Sequence, residues 1–340
     1  MRVHDPSFAQ AQEVAQALVG QPANIEHLLG GGRNSRIYRV RCNAGEFALK
    51  QYPAGADDPR DRLATEIGAL KLMERYSVDT VPRVVGVDRE RGFALLSWIE
   101  GSAVTDISNS DIDAAISFLA AIYALRNTPW AKEQPQAAEA CLSGAEIERQ
   151  IAERLTRLLR FSDERDLRAF LEESFVPAFQ RGLINAKSKI KAGGLDFAGE
   201  LPQEWRSLVP SDFGFHNSLR RKDGTLAFVD FEYFGWDDPV KLTADVLLHP
   251  GRALATPQRL RFRKLAERLY QEDCSFAPRL GAYLQLFGLR WVLILLNEFI
   301  PERWQRRVLA GATESWAEGK ATQLALAGSF LAALPGKVED

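Results

Sequence analysis

Apolar positions recur with a helical period over residues 7–19 and stop at Gly20 and Pro22, so a short amphipathic helix is expected there. From Ile25 to Lys50 the pattern changes. Ile37, Tyr38 and Val40, then Phe47, Ala48 and Leu49, flank a break at Asn43-Ala44-Gly45 and predict two antiparallel strands joined as a hairpin. Residues 60–76 return to a helical period, with Leu63, Ile67, Leu70 and Met73 on one stripe. Val81–Val87 and Gly92–Trp98 read as two more strands around the polar turn Asp88-Arg89-Glu90-Arg91. Beyond Gly101 the pattern is mostly helical, over 110–125, 143–160, 164–192, 257–272, 278–298 and 302–332. Strand-like pieces at 207–209 and 226–231 interrupt it. The expected fold class is α+β, with a small antiparallel β-rich lobe (1–101) and a larger, mostly helical lobe (102–340).

A chain of 340 residues is long for one core, which agrees with two lobes. The net charge of −2 argues against an electrostatic nucleic-acid binder. Cys42, Cys141 and Cys274 are odd in number, far apart and fit no zinc spacing, as expected of a reduced, cytoplasmic protein. Arg2, His4 and Asp5 precede no apolar signal segment. The apolar run Trp291–Leu296 is far short of the roughly 20 residues that span a bilayer, so a core helix is expected and no membrane partner.

Phosphoryl transfer needs a cradle for phosphates, a cation on them, a metal site and a group that positions the acceptor hydroxyl. Leu29-Gly30-Gly31-Gly32-Arg33-Asn34-Ser35 lies between two expected strand regions. Gly31 and Gly32 would let the backbone approach a polyphosphate, with Asn34 and Ser35 beside them, although an ordinary glycine turn has the same composition. Lys50 ends an apolar strand, and Glu66 on the following helix is placed to hold its ammonium. Leu96–Gly101 ends the last strand of the small lobe. Its backbone at Ser97 and Ile99 is a candidate for an adenine edge, and equally a plain strand end. Asp212 and Asn217 share a short loop, where an aspartate could take a hydroxyl proton and an asparagine amide could ligate a metal. Asp230 and Glu232 alternate around Phe231 at a strand end and offer the hard oxygens that Mg²⁺ prefers. His216 is better placed for a structural bond within its loop, and the other histidines form no metal pattern.

On these residues the chain resembles the aminoglycoside phosphotransferase and choline kinase superfamily, over about residues 25–250 and most closely at 207–239. That family's catalytic loop commonly reads His-Gly-Asp, four residues, then Asn. Here it reads Pro210-Ser211-Asp212 and, after four residues, Asn217. Asp230-Phe231-Glu232 matches the family's metal motif, and Asp245 its downstream structural aspartate. The resemblance implies a protein-kinase-like bilobal fold and ATP-dependent, Mg²⁺-dependent phosphorylation of a small hydroxyl acceptor: a sugar, amino sugar, amino alcohol or aminoglycoside. It implies Asp212 as base, Asn217 and Asp230 as Mg²⁺ ligands with Glu232 auxiliary, and Lys50 on the phosphates with Glu66 as partner. The replacement of His-Gly by Pro210-Ser211 leaves a second expectation, a nucleotide-binding scaffold without catalysis. A protein kinase is disfavoured by the helical insert before Leu208 and by the lack of an Ala-Pro-Glu element after Asp230.

Overall fold

A computed structural model describes residues 6–28, 35–52, 60–161, 163–251, 253–309 and 314–339. Helix α1 (Pro6–Val19) leads into an antiparallel sheet of β1 (Asn24–His27), β2 (Arg36–Cys42), β3 (Gly45–Gln51), β4 (Val84–Asp88) and β5 (Phe93–Ser97), with α2 (Arg62–Arg75) inserted between β3 and β4. The spatial order is β1-β2-β3-β5-β4. The expected hairpin closes with Cys42 opposite Gly45, which takes the φ of +125° that a side chain disfavours.

Strand alternation divides the sheet between two cores. Leu49, Phe93 and Leu95 pack with Ala11, Val14 and Ala15 of α1. Ala48, Ala94 and Leu96 turn the other way, toward Leu63, Ile67, Leu70 and Met73 of α2. Lys50, one residue after Leu49, therefore falls on the α2 side. That second core runs on into the carboxy-terminal helices.

The rest of the chain begins with β6 (Ser102–Ala103) and α3 (Asn109–Leu125), followed by α4 (Gly144–Leu159) and α5 (Arg165–Ala169). A π-helical turn, Phe170–Phe175, joins α5 to α6 (Val176–Ala192). Four short strands follow: β7 (Ser207–Val209), β8 (Ser218–Arg220), β9 (Leu226–Phe228) and β10 (Gly235–Asp237). Strand β10 pairs with β7, and β8 lies between β6 and β9. The chain closes with α7 (Pro239–Leu248), α8 (Thr256–Leu269), α9 (Phe276–Leu295), α10 (Pro301–Leu309) and α11 (Trp316–Glu339). Phe276–Phe299 is long and apolar enough to cross a membrane, yet 67% of its most apolar window is buried inside the protein, against α4, α6, α7 and α11. It is the core helix expected from Trp291–Leu296.

Two expectations change. The helix expected over 302–332 is two helices, and Ser315 starts the second by exchanging hydrogen bonds with Glu318 in capping-box fashion. The strand expected over 226–231 ends at Phe228, and Asp230 has φ +72°. Helix α7 lies outside the expected elements, and all ten of its residues are buried.

Candidate active site

The loop after β7 is held from below by aromatic rings. Phe213 stacks on Phe118 of α3 at 5.6 Å between centroids, and Phe118 on Phe228 of β9 at 4.4 Å. The Asn217 side-chain amide donates to the Asp212 carbonyl at 2.8 Å, and the Val229 N–H donates to the Asn217 carbonyl at 3.0 Å. Asn217 thus ties the Asp212 loop to the segment that carries Asp230. With its nitrogen spent on Asp212, its amide oxygen is the atom left to offer a cation.

Ser211 stands where the family pattern has glycine. It has φ +64°, and the Asp212 N–H donates across it to the Pro210 carbonyl at 2.9 Å, a tight γ-turn with a left-handed central residue. This turn leads from Pro210-Ser211 into Asp212.

The Asp212 carboxylate is 38% exposed and lies 3.1 Å from His216 Nε2. Burial pushes its carboxyl up, but the hydrogen bond and charge of His216, with help from His249 and Asn217, hold it below the usual carboxylate value. His216 keeps the structural bond expected of it. Its ring stacks on His249 at 4.1 Å, and His249 meets the edge of Trp291 at 4.9 Å. Trp291 Nε1 donates to Asp245 at 2.9 Å.

Lys50 gathers the second half of the site. Its Nζ lies 2.6 Å from Glu66, 2.6 Å from Asp230 and 3.6 Å from Glu232. Burial opposes the charge on this ammonium, but the carboxylates of Asp230 and Glu66 outweigh it and hold the lysine well above its ordinary value. Asp230 is also raised, to about 6, because burial and the nearby Glu232 and Glu66 outweigh Lys50. One oxygen from each of Glu66, Asp230 and Glu232 lies within 4.8 Å of the others. Lys50 and Arg62 leave this group one negative charge in excess, and hard oxygens with surplus charge fit a divalent cation such as Mg²⁺.

Several expected roles shift. Ser35 donates its hydroxyl to Glu232 at 2.9 Å instead of presenting it to a phosphate. Glu232 is 2% exposed and also accepts from Arg62 at 2.6 Å, so both of its oxygens are engaged. Asp230 and Glu232 both reach Lys50, through the left-handed backbone at Asp230 and not through strand alternation. The Ser97 N–H is used by the Arg83 carbonyl at 2.8 Å. It is therefore not free for an adenine, whereas the Ile99 backbone has no hydrogen-bond partner among the described residues. Gly31, Gly32 and Asn34 lie outside the described residues.

Sequence reasoning missed Arg62, Tyr52 and His249 as parts of the site. Arg62 sits four residues before Glu66 on α2, a spacing that places both on one helix face and could have found it. Tyr52 lies two residues after Lys50 on the strand's path and donates to Glu66 at 2.7 Å. No sequence signal marks the contact of His249 with His216.

Residues 25–241 match the model of the phosphotransferase enzyme family. No curated protein sequence matches the chain significantly. Among solved structures, the fold is similar to that of spectinomycin phosphotransferase in complex with ADP and spectinomycin, with a TM-score of 0.61 and 10% identity over 95% of this chain and 98% of the other. It is also similar to the choline kinase LicA from Streptococcus pneumoniae (TM-score 0.56, 15% identity, 97% and 100% covered). A third similar structure is an ethanolamine kinase from Plasmodium vivax (TM-score 0.58, 11% identity, 89% and 82% covered). With the family model spanning most of the chain and the kinase-like fold in place around these carboxylates, the protein belongs to the phosphotransferase enzyme family.

Proposed function

We propose that the protein transfers the γ-phosphoryl group of ATP to a hydroxyl of a small molecule, with residues 1–101 serving the nucleotide and 102–340 supplying the base and the acceptor site. The observation that carries this is the convergence on Lys50 of Glu66 from α2 and Asp230 from the segment after β9, each at 2.6 Å. Related folds described with ADP and spectinomycin, and as choline and ethanolamine kinases, support the reaction class.

Asp212 is kept ionised at neutral pH, so it accepts a hydrogen bond from the acceptor hydroxyl and takes its proton as the new O–P bond forms. Lys50, held charged between Glu66 and Asp230, faces the phosphates. Asn217 and Asp230 are the residues to hold Mg²⁺, with Glu232 as a supporting carboxylate fixed by Arg62. The metal, when bound, neutralises charge on the phosphates. The Ile99 backbone is the candidate adenine contact. Cys42, Cys141 and Cys274 are free thiols, in keeping with a cytoplasmic setting.

The test is release of ADP from Mg²⁺-ATP in the presence of a panel of hydroxyl compounds. Asp212→Ala should lower kcat by at least about 10²-fold while the fold is retained. Turnover unaffected by that change would remove Asp212 from the mechanism.

A further inference from the structure

Asp212 sits on a loop, and a loop carboxylate is free to turn about its side-chain bonds unless something holds it. His216 Nε2 lies 3.1 Å from Asp212 Oδ1. An ionised carboxylate only accepts, so Nε2 is the nitrogen that carries the hydrogen. The other nitrogen, Nδ1, is buried and has no hydrogen-bond partner among the described residues. The polar capacity of this ring is therefore used on Asp212 alone. Its ring lies parallel to that of His249, with 4.1 Å between centroids and 7° between planes. One ligand atom from each of Asp212, His216 and His249 lies within 4.8 Å of the others. As stacked, however, the rings do not suit a shared metal ion. Imidazole nitrogens bind metals in the plane of the ring, and two parallel planes do not meet at one ion.

The stack is held by the core of the larger lobe. His249 follows directly on α7, all ten of whose residues are buried. Its ring meets the edge of Trp291, on α9, at 4.9 Å and 77°. Trp291 Nε1 donates to Asp245 of α7 at 2.9 Å. Asp245 is 5% exposed and is faced in turn by Lys241 at 3.1 Å and Arg290 at 3.6 Å. Contacts thus run from two packed helices to the carboxylate, and a close-packed core resists small displacements. The far end is open, since the Asp212 side chain is 38% exposed.

We infer that His216 is a positioning residue for this base, and that His249, Trp291 and Asp245 act through it. His216 holds Oδ1, which leaves Oδ2 as the oxygen that takes the proton of the acceptor hydroxyl. This rests on the phosphotransferase reading above and specifies the setting of its base. It also connects Asp245, the downstream aspartate of the sequence pattern, to the reaction. A reacting group misplaced by about 1 Å costs on the order of 10²-fold in rate, so a rack of this kind has a measurable effect.

The test compares His216→Gln with His216→Phe in the full chain. Glutamine sets an amide nitrogen about where Nε2 stands and keeps the donor. Phenylalanine keeps the ring and its stack on His249 but has no donor. If His216 only packs, phenylalanine is the milder change; if it positions Asp212, glutamine is. With Mg²⁺-ATP and a hydroxyl acceptor, His216→Phe should lower kcat about 30-fold and leave the KM for ATP within about twofold, and His216→Gln should recover most of that loss. His249→Ala should lower kcat about tenfold in the parent and less than about twofold in His216→Phe, because it acts through His216. Phenylalanine equal to or better than glutamine, a loss confined to KM, or fully additive losses at 216 and 249 would overturn the inference. The contact is also read without turnover, by ¹⁵N spectra of the histidine rings. In the singly protonated ring of His216 the hydrogen should sit on Nε2, and that preference should disappear in Asp212→Ala. A hydrogen on Nδ1 in the parent would overturn the inference as well. Should no compound accept a phosphoryl group while the Nε2 hydrogen depends on Asp212, the phosphotransfer reading fails and the His216–Asp212 contact stands. Should His216→Phe turn over as the parent does, phosphotransfer stands and the positioning role fails.

Discussion

Replacing Ser211 by glycine should stabilise the protein. Ser211 has φ +64° and is 8% exposed, and its hydroxyl is buried with no hydrogen-bond partner among the described residues. A non-glycine residue in the left-handed region costs about 1–2 kcal/mol. An unsatisfied buried hydroxyl costs about 1–3 kcal/mol more. Against this, glycine gives the unfolded chain extra freedom, worth roughly 0.5–1 kcal/mol. The low ends of the two favourable terms, less the entropy term, leave a net gain of about 1 kcal/mol. For a chain of this size that is a rise of roughly 2 °C in Tm. Thermal and urea unfolding of the ligand-free protein would read it. Ser211→Ala separates the two causes, because it removes the hydroxyl and keeps the strained backbone, so it should fall between parent and glycine variant. A glycine variant less stable than the parent, or an alanine variant more stable than the glycine one, would refute the account of this turn.

Other consequences follow from the same geometry. Lys50→Met would leave Glu66, Asp230 and Glu232 without their central cation and should cost roughly 3 kcal/mol. Added Mg²⁺ should then raise Tm more in the variant than in the parent, and an equal response would contradict a cation site among these carboxylates. Asp111, in the first turn of α3, accepts two hydrogen bonds from Arg220 at 2.6 and 2.9 Å. Burial pushes its carboxyl up, but Arg220 and Ser108 hold it below its usual value. Stability from this pair is complete above about pH 4 and is lost as pH falls through the depressed value. Arg220→Gln should therefore lower stability by about 1 kcal/mol at neutral pH and flatten the acid limb of the stability curve; an unchanged acid limb would show that the pair is not responsible. A Cβ on Gly235 would sit 2.4 Å from the Pro135 carbonyl oxygen and 2.5 Å from the Ala137 nitrogen. Because both obstacles are backbone, Gly235→Ala should cost at least about 2 kcal/mol, and a parental Tm would contradict the close approach of these segments.

Spacing alone made much of the site legible. Lys50 at the end of an apolar strand and Glu66 on the next helix are local patterns, because a strand or helix dictates which face each residue takes, and Asp212 five residues before Asn217 is a short loop motif. Four strands of the five-stranded sheet and most of the helices were legible for the same reason, while the edge strand β1 (Asn24–His27) was not. What stayed hidden joins residues far apart in the chain. Ser35 meets Glu232 across 197 residues, and Arg62 meets Glu232 across 170. Helix α7 is buried on every side, its Lys241 paired internally with Asp237 and Asp245. Asp230 was read as a strand residue, because a left-handed φ leaves no mark on the apolar pattern. The sequence by itself determined which faces of the elements are apolar and which short loop carries the acidic and amide groups. Only the tertiary structure decided which charges share an ion cluster and which hydroxyl is already spent. Periodicity records that a face is buried, and packing alone decides what it is buried against.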